Sequence, residues 1–171
     1  MYRALFLITV SILASLVFPK VHGQEKKASH RESVFLQAGG GKRLTIEYGR
    51  SSPGLTPHGK IWQIGDKGPA RLTSEFDFSI GDVLVPEGTY SLFAISSESG
   101  WKLIINKIYK AEGFEYDEKE DLGRFDMEIS KPSEPVEQLT ISIVPGGGGK
   151  GKIRIDWEKT SATLPFSVVT Y

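Results

Sequence analysis

Apolar and polar side chains alternate along most of this chain, and that alternation limits the folds it can adopt. In one segment Leu44, Ile46 and Tyr48 alternate with Thr45 and Glu47. A β-strand turns successive side chains to opposite faces, so such a segment buries one face and wets the other. The same period of two returns further along the chain, at residues 72–80, 89–95, 124–129, 139–143 and 153–158. The pattern predicts an all-β fold.

The clearest pair of strands is residues 88–95 and 101–106, with a polar turn between them. The first of these segments is apolar at both parities, which is typical of a central strand. We expect the two segments to form an antiparallel hairpin in the core. Leu92 and Phe93 then point to opposite faces of the sheet, and both should be buried.

Glycine-rich turns separate the predicted strands. Three glycines at 39–41 can join the first two strands, Gly81-Asp82 fits a two-residue hairpin, and residues 146–151 separate the last two long strands. Pro165 predicts an edge strand at residues 163–168, because proline lacks the ladder donor. The best helix candidate, residues 110–121, is charged nearly all round. Short strands at this spacing predict a single-domain antiparallel β-sandwich or a jelly-roll-like fold.

The first 23 residues have the pattern of a cleavable signal peptide. Arg3 gives a positive start, residues 4–18 are mainly apolar, and Val21-His22-Gly23 places small residues at a cleavage site. The apolar stretch is shorter than the roughly 20 residues that span a bilayer. We therefore expect an exported protein, periplasmic or extracellular, with no stable membrane span after cleavage. Residues 24–32 predict a flexible leader, and residues 33–171 the folded domain.

Charge and cysteine content exclude several classes of protein. The chain has 21 basic and 21 acidic residues, and loss of Arg3 and Lys20 with the signal peptide leaves 19 against 21, a net charge of −2. Such a balance gives no electrostatic footprint for nucleic acid. There are no cysteines, so disulfides and thiolate metal sites are excluded. The domain must be held together by its apolar core.

Three local motifs have features of phosphate or metal sites. Residues 146–152 formally match part of a phosphate-binding loop, but Ile153 stands where Ser or Thr should hold magnesium, and a strand follows. A hairpin loop is the favoured interpretation. A calcium loop beginning at Asp117 fails, because Leu122 occupies the glycine position. His30 and His58 alone make no metal site, so no metal or other cofactor is predicted.

The loop at residues 51–60 is the surface most favoured for binding. It is rich in proline and glycine, which fix a loop in one arrangement. We predict that Tyr48, Arg50, His58 and Trp62 line one concave patch, with Arg50 offering a planar donor fork to an anionic or hydroxylated group. The alternative is that Trp62 is buried and Arg50 pairs with a nearby acid.

Several short motifs together resemble a family of exported bacterial proteins, the domain of unknown function 2911. The motifs lie at residues 48–51, 57–62, 84–93, 101–107, 116–119, 134–140 and 156–160. The resemblance implies an exported all-β protein, and it supplies no catalytic residues. Family members tend to have Arg after the tryptophan at 62 and Asn-Glu soon after the glycine at 65. Here those places hold Gln63, Lys67 and Gly68.

Three functional interpretations follow. The preferred one is a non-enzymatic module that binds a small ligand, a glycan or a component of the cell envelope. The alternative is a small hydrolase that uses loop carboxylates and His58. A purely structural envelope protein is the third. A cleft with His58 beside a carboxylate would favour the enzyme, and an exposed aromatic patch would favour binding.

Overall fold

Strands make up about two thirds of the described residues, and the all-β content is what the alternation predicts. The computed structural model describes residues 31–51, 59–97, 99–109 and 116–170. Short 3-10 turns lie at Gly39–Gly41 and Glu118–Glu120. The described part contains twelve strands: β1 (Arg31–Gln37), β2 (Arg43–Gly49), β3 (Ile61–Gln63), β4 (Ala70–Ser74), β5 (Phe78–Ile80), β6 (Val83–Val85), β7 (Gly88–Ser97), β8 (Gly100–Asn106), β9 (Asp121–Ser130), β10 (Val136–Gly147), β11 (Lys150–Glu158) and β12 (Thr160–Val168).

These strands form one antiparallel sheet that is nearly closed into a barrel-like shape. Its hydrogen-bonded order is β1-β2-β4-β7-β8-β9-β12-β11-β10, and β1 and β10, at the two ends of this order, contact each other. Strand β3 lies beside β7, and the β5–β6 hairpin is attached to β12. The predicted all-β, antiparallel fold is confirmed.

The predicted hairpin is confirmed as β7 and β8, with Leu92 opposite Ile105 and Phe93 opposite Ile104. Leu92 is fully buried in the core, and Phe93 is only 4% exposed. Phe93 lies on the other face of the sheet, where its ring packs edge-on against Tyr116 with centroids 5.0 Å apart. Both faces of β7 are thus covered, one by the core and the other by Tyr116, which accounts for its apolar residues at both parities.

The main core lies inside the curved sheet. Every strand of the closed path contributes alternate side chains to it, as a pleated strand with one dry face should. Among the side chains with no exposed surface are Ile46, Leu72, Leu103 and Ile155. A chain without cysteines is thus stabilised by apolar burial.

The position of Pro165 differs from the prediction. Residues 163–168 belong to β12, which is an interior strand and not an edge: β11 pairs along one side, and β9 and β5 pair on the other. On that second side β9 pairs with residues 161–163 and β5 with residues 167–168, so residues 164–166 face a gap. A proline needs no ladder donor at a gap, which explains why the sheet tolerates it.

The N-terminal boundary also differs by a short stretch. Strand β1 begins at Arg31, within the predicted leader, because Arg31 Nη2 donates to the carbonyls of Glu47 and Pro69, both at 3.1 Å. The signal peptide and residues 24–30 lie outside the described residues, and cleavage stays a prediction. The helix candidate is described only from residue 116, where it forms a 3-10 turn and then enters β9.

The sheet has two ends with different contents. Neighbouring strands of the sheet are antiparallel, so every second strand runs in the same direction. One strand lies between β2 and β7, and three lie between β7 and β11, so β2, β7 and β11 are parallel to one another. Arg50, Ser96 and Trp157 lie at or near the carboxyl ends of these strands, at what we name the arginine–tryptophan end. The β10–β11 turn lies at the opposite end, which we name the glycine-loop end.

Candidate functional site

A polar group lies at the arginine–tryptophan end, where the sheet nearly closes. Glu32 of β1 is directly opposite Tyr48 of β2, so the two side chains share a face. The Tyr48 hydroxyl accepts a hydrogen bond from the backbone N–H of Ile141 at 3.0 Å and lies 3.3 Å from Glu32 Oε2, to which it can donate. Ile141 belongs to β10, so this hydroxyl bridges β2 to the far edge of the sheet.

Arg50 extends this group toward solvent. Its Nε lies 2.7 Å from Glu32 Oε1, and its Nη1 donates weakly to Gln138 Oε1 at 3.4 Å. A further side-chain hydrogen bond links Arg50 to Tyr48. Arg50 is about two-fifths exposed, with a side-chain value of 39%. A guanidinium has five N–H donors, so Arg50 keeps donors toward solvent while Glu32 fixes its orientation.

Two pKa shifts follow from this arrangement. Burial is the main reason that the pKa of the Tyr48 phenol is raised, so the hydroxyl stays neutral. The hydrogen bond from Arg50 to Glu32 raises the pKa of Arg50 further above its already high value. Arg50 therefore stays positively charged at neutral pH.

Trp62 belongs to a cluster of three tryptophans at the same end of the sheet. It lies in β3 opposite Ala94, which directs the indole toward the interior. Its ring is 5.8 Å from that of Trp101 in a perpendicular arrangement and 6.2 Å from that of Trp157. Trp101 and Trp157 are each 6% exposed, and Trp62 is half-buried. One indole of the cluster therefore has accessible surface.

Two polar atoms beside this cluster are buried without partners. Trp62 Nε1 and Ser96 Oγ make no hydrogen bond with any described residue. Ser96 is 1% exposed and lies directly opposite Trp101 in the β7–β8 ladder. Leaving a buried polar group unsatisfied costs about 1–3 kcal/mol, and such groups are rare in folded proteins. Two such atoms therefore lie at the same aromatic cluster.

The four residues predicted for the site do not all lie together. The structure brings Tyr48 and Arg50 together through Glu32 and places Trp62 at the same end, in the tryptophan cluster. His58 lies outside the described residues. Tyr48 is 1% exposed, so it supports Arg50 and does not face solvent. Arg50 does pair with an acid, as the alternative interpretation expected, yet it retains a free donor.

Sequence reasoning missed Glu32, Ser96, Trp101 and Trp157 as members of this end. Glu32 falls within the predicted leader at residues 24–32, although it shares the parity of Val34 and Leu36 in the alternating pattern. The two tryptophans come from strands that are distant in the chain, and only the pairing order brings them beside Trp62. The parity of Glu32 was the one local signal that could have identified a site residue.

A second polar cluster lies on the outer face of β8 and β9, and its groups are paired with one another. Arg124 bonds Asp121 at 2.8 Å and the Tyr116 hydroxyl at 2.9 Å, while Asn106 bonds the other Asp121 oxygen at 3.0 Å. Burial, with the bond to Asp121, raises the pKa of Tyr116 to about 12. With its polar atoms mutually satisfied, this cluster holds Tyr116 over Phe93 and has few donors or acceptors left for a ligand.

The turn that departs from the family pattern is closely packed. Lys67 has a φ of 57° and Gly68 a φ of 124°, so residues 65–68 make a tight connection between β3 and β4. The backbone N–H of Asp66 donates to the Gly49 carbonyl at 3.2 Å. A Cβ at Gly49 would lie 2.5 Å from the Asp66 carbonyl oxygen, which explains the glycine. Gln63 is exposed and lies outside the tryptophan cluster.

The described ranges contain neither a cluster of metal ligands nor a helix that could span a membrane. No three His, Asp or Glu side chains among residues 31–51, 59–97, 99–109 and 116–170 are placed to hold a metal ion. The same residues include no helix long and apolar enough to cross a membrane.

Comparison with known protein families shows which family the chain belongs to. The family described as "Protein of unknown function (DUF2911)" matches residues 29–166. The chain belongs to this family. The DUF2911 match begins just before β1 and ends within β12, so it includes Glu32, Arg50 and all three tryptophans. The resemblance inferred from the short motifs is confirmed. No curated protein and no solved structure matches the chain.

Proposed function

We propose that this DUF2911 protein is an exported, non-enzymatic binding module whose ligand contacts the arginine–tryptophan end. The observation that supports it most is the pair of buried, unpartnered polar atoms, Trp62 Nε1 and Ser96 Oγ, beside three tryptophan rings. Aromatic faces stack on flat apolar surfaces, and an indole N–H donates to a hydroxyl or carbonyl oxygen. A small hydroxylated ligand such as a glycan offers both kinds of surface.

Arg50 adds a polar rim to the proposed site. Its guanidinium is about two-fifths exposed, and its orientation is fixed by Glu32. A preorganised guanidinium binds a hydroxyl or an anionic oxygen with less loss of side-chain entropy than a free one. Arg50 and the tryptophan cluster lie at the same end of the sheet.

Glu32 gives a reason to favour binding over catalysis. It is the carboxylate inside this group, and its oxygens lie 2.7 Å from Arg50 Nε and 3.3 Å from the Tyr48 hydroxyl. A general base needs a free lone pair directed toward substrate. The alternative hydrolase would rely on His58 and loop carboxylates, and no contact of the described residues favours it.

A thermal-shift screen of the protein without residues 1–23 tests the proposal, using a panel of glycans, small metabolites and divalent metals. A ligand that binds only the folded state raises the melting temperature. Trp62→Phe keeps a ring in the cluster but removes the indole N–H, and Arg50→Ala removes the donor fork. Both should abolish the shift while changing the unliganded melting temperature little.

Lys60→Ala is the matched control, because Lys60 is exposed and lies next to β3 without belonging to the proposed site. It should leave the ligand shift intact. A ligand whose shift survives both Trp62→Phe and Arg50→Ala binds elsewhere, and a panel with no shift at all contradicts the proposed function.

Export is tested separately by the intact mass of the protein from its native host. The apolar run at residues 4–18 followed by Val21-His22-Gly23 predicts a mature chain that begins at Gln24. A mass that still includes Met1 to Gly23 would contradict export by this route.

A further inference from the structure

A cleft at the glycine-loop end has the composition of an anion site. It has a volume of about 420 Å³ and lies beside the β10–β11 turn. Lys150 and Lys152 line it together with Ser79, Ser167 and the exposed ring of Pro165. The residues that line this cleft include no carboxylate.

The strand register places the polar lining residues in a row on one face of the sheet. Lys150 of β11 is directly opposite Ser167 of β12, and Ser167 is directly opposite Ser79 of β5. Directly opposed side chains in a sheet have Cβ atoms about 4.5–5.5 Å apart. Lys152 lies two residues along β11 on the same face, opposite Pro165. Two ammonium groups and two hydroxyls therefore border one cleft.

These donors are largely unused within the described part of the protein. Lys150 makes no ion pair with a described residue, and Lys152 makes only a loose one, 3.8 Å from Glu128 Oε2. Both partners of that pair are more than half exposed, so solvent screens it strongly. The hydroxyls of Ser79 and Ser167 form no hydrogen bond with described residues. The cleft thus has two positive charges, and of the two lysines only Lys152 has an acid close to it.

The glycines of the turn explain how Lys150 is held at the cleft. Gly147, Gly148 and Gly149 all have φ between 58° and 74°, a region that L residues other than glycine rarely adopt. The Gly149 carbonyl accepts a hydrogen bond from the Val168 N–H at 2.7 Å, which fixes the turn on β12. Lys150 follows directly, so its backbone position is set by that bond.

We propose that this cleft binds a phosphate or sulfate monoester group. A tetrahedral oxyanion presents several acceptor oxygens, to which two compact ammonium groups and two hydroxyls can donate. The apolar ring of Pro165 borders the cleft and accommodates the organic part of the ester. The site does not act as a nucleotide phosphate loop, because β11 follows the turn where such a loop requires a helix.

The test uses the protein without residues 1–23 and measures titration calorimetry with phenyl phosphate and phenyl sulfate at constant ionic strength. Lys150→Ala combined with Lys152→Ala should weaken binding about tenfold or more, since charge-assisted hydrogen bonds are the strong ones. Ser79→Ala combined with Ser167→Ala should weaken it about two- to fivefold. Glu128→Gln should tighten binding, because it frees Lys152 from its only acid.

The matched control is Lys60→Ala combined with Lys131→Ala, which removes the same charge from two exposed lysines at the arginine–tryptophan end. It should bind the esters as the wild type does. An equal loss of affinity in this control would show that the effect depends on net charge alone, and it would contradict the proposed anion site. The proposal is also contradicted if the wild type shows no saturable binding to soluble esters or to lipids.

Vesicles distinguish a free ester from a lipid headgroup. Sedimentation with phosphatidylcholine vesicles containing phosphatidic acid should depend on Lys150 and Lys152 if the natural ligand is a headgroup. Binding of soluble esters without vesicle binding identifies a free ligand. Either result supports the proposed chemistry when the double lysine variant abolishes it. The site is independent of the arginine–tryptophan end, so the failure of one proposal leaves the other standing.

Discussion

The two ends of this nearly closed sheet differ in how they are packed and in how their charged side chains are paired. The arginine–tryptophan end is filled by three large rings, and its exposed arginine is paired with Glu32. The glycine-loop end has a turn with little side-chain volume, and its lysines lack close partners. Ring packing stabilises the first end by burial, whereas the second is held by backbone hydrogen bonds. Stability and ligand recognition should therefore respond differently to substitution at the two ends.

The largest contrast is expected between Trp101→Ala and Lys150→Ala. Trp101 is 6% exposed and contacts Trp62, so its truncation leaves a large cavity and should lower the free energy of unfolding by about 3–5 kcal/mol. Lys150 is exposed, and its truncation should change that energy by less than about 0.5 kcal/mol. Urea unfolding monitored by circular dichroism measures both. Comparable losses would contradict the assignment of packing to one end.

Gly151→Ala tests whether the glycine-loop end is also closely packed where it meets the core. A Cβ at Gly151 would lie 2.5 Å from Phe166 Cζ, and Phe166 is buried against Phe78 with ring centroids 5.6 Å apart. We expect a loss of about 1–3 kcal/mol in urea unfolding from this overpacking. Gly39→Ala is the control, because nothing lies within 4 Å of its Cβ position. A neutral Gly151→Ala would show that the ring moves freely.

Tyr48→Phe tests the closure of the sheet at the arginine–tryptophan end. The substitution keeps the ring but leaves the Ile141 N–H without the hydroxyl that accepts from it at 3.0 Å. An unsatisfied buried donor should lower the free energy of unfolding by about 1–3 kcal/mol. Amide hydrogen exchange at Ile141 should accelerate in the variant more than exchange at Ile104, which is paired inside the sheet. Unchanged exchange at Ile141 would mean that the bridge does not hold β10.

The same tyrosine predicts a pH dependence at high pH. Burial raises the pKa of Tyr48 in the folded protein above its ordinary value of about 10. The stability that its neutral form contributes is therefore fully present below pH about 10 and is lost as pH rises through the folded pKa. Wild type should lose unfolding free energy more steeply above pH 10 than Tyr48→Phe does. Tyr116, whose pKa is raised to about 12, contributes equally to both proteins.

The parts of the fold that local pattern could predict are the strands and their tight connections. Alternation located the strands, and the glycines at 81 and 146–151 correctly marked the turns. The sequence does not predict which distant strands pair, because a period of two shows which face each side chain takes and not which strand lies beside it. Pro165 shows the limit most clearly: its missing donor is tolerated by a gap between β9 and β5 that no local sequence encodes.

The candidate site was less accessible to sequence reasoning than the fold. Tyr48 and Arg50 were placed together because they are near in the chain and share a parity. Glu32, which orients Arg50, and Trp157, which packs on Trp62, enter through β1 and β11. Their contacts depend on the curvature of the whole sheet. The unpartnered state of Ser96 could be recognised only once its neighbours were known.

The smallest effect on stability, and the sharpest distinction between structure and binding, is expected for Ser96→Ala. The hydroxyl is buried and makes no hydrogen bond with described residues, so its removal breaks no native bond and relieves an unsatisfied group. Urea unfolding should show a free energy that is unchanged or slightly increased.

If the hydroxyl instead serves a ligand, Ser96→Ala should weaken the thermal shift of any ligand that Trp62→Phe also affects. A structural role predicts the reverse, a loss of stability with an unchanged ligand shift. Ser97→Ala is the matched control on the same strand, since its hydroxyl already bonds the Gly100 carbonyl at 2.9 Å and faces the other side of the sheet. A variant that is destabilised by Ser96→Ala and binds normally would remove the main support for a ligand at the arginine–tryptophan end, because the buried hydroxyl would then have an internal partner.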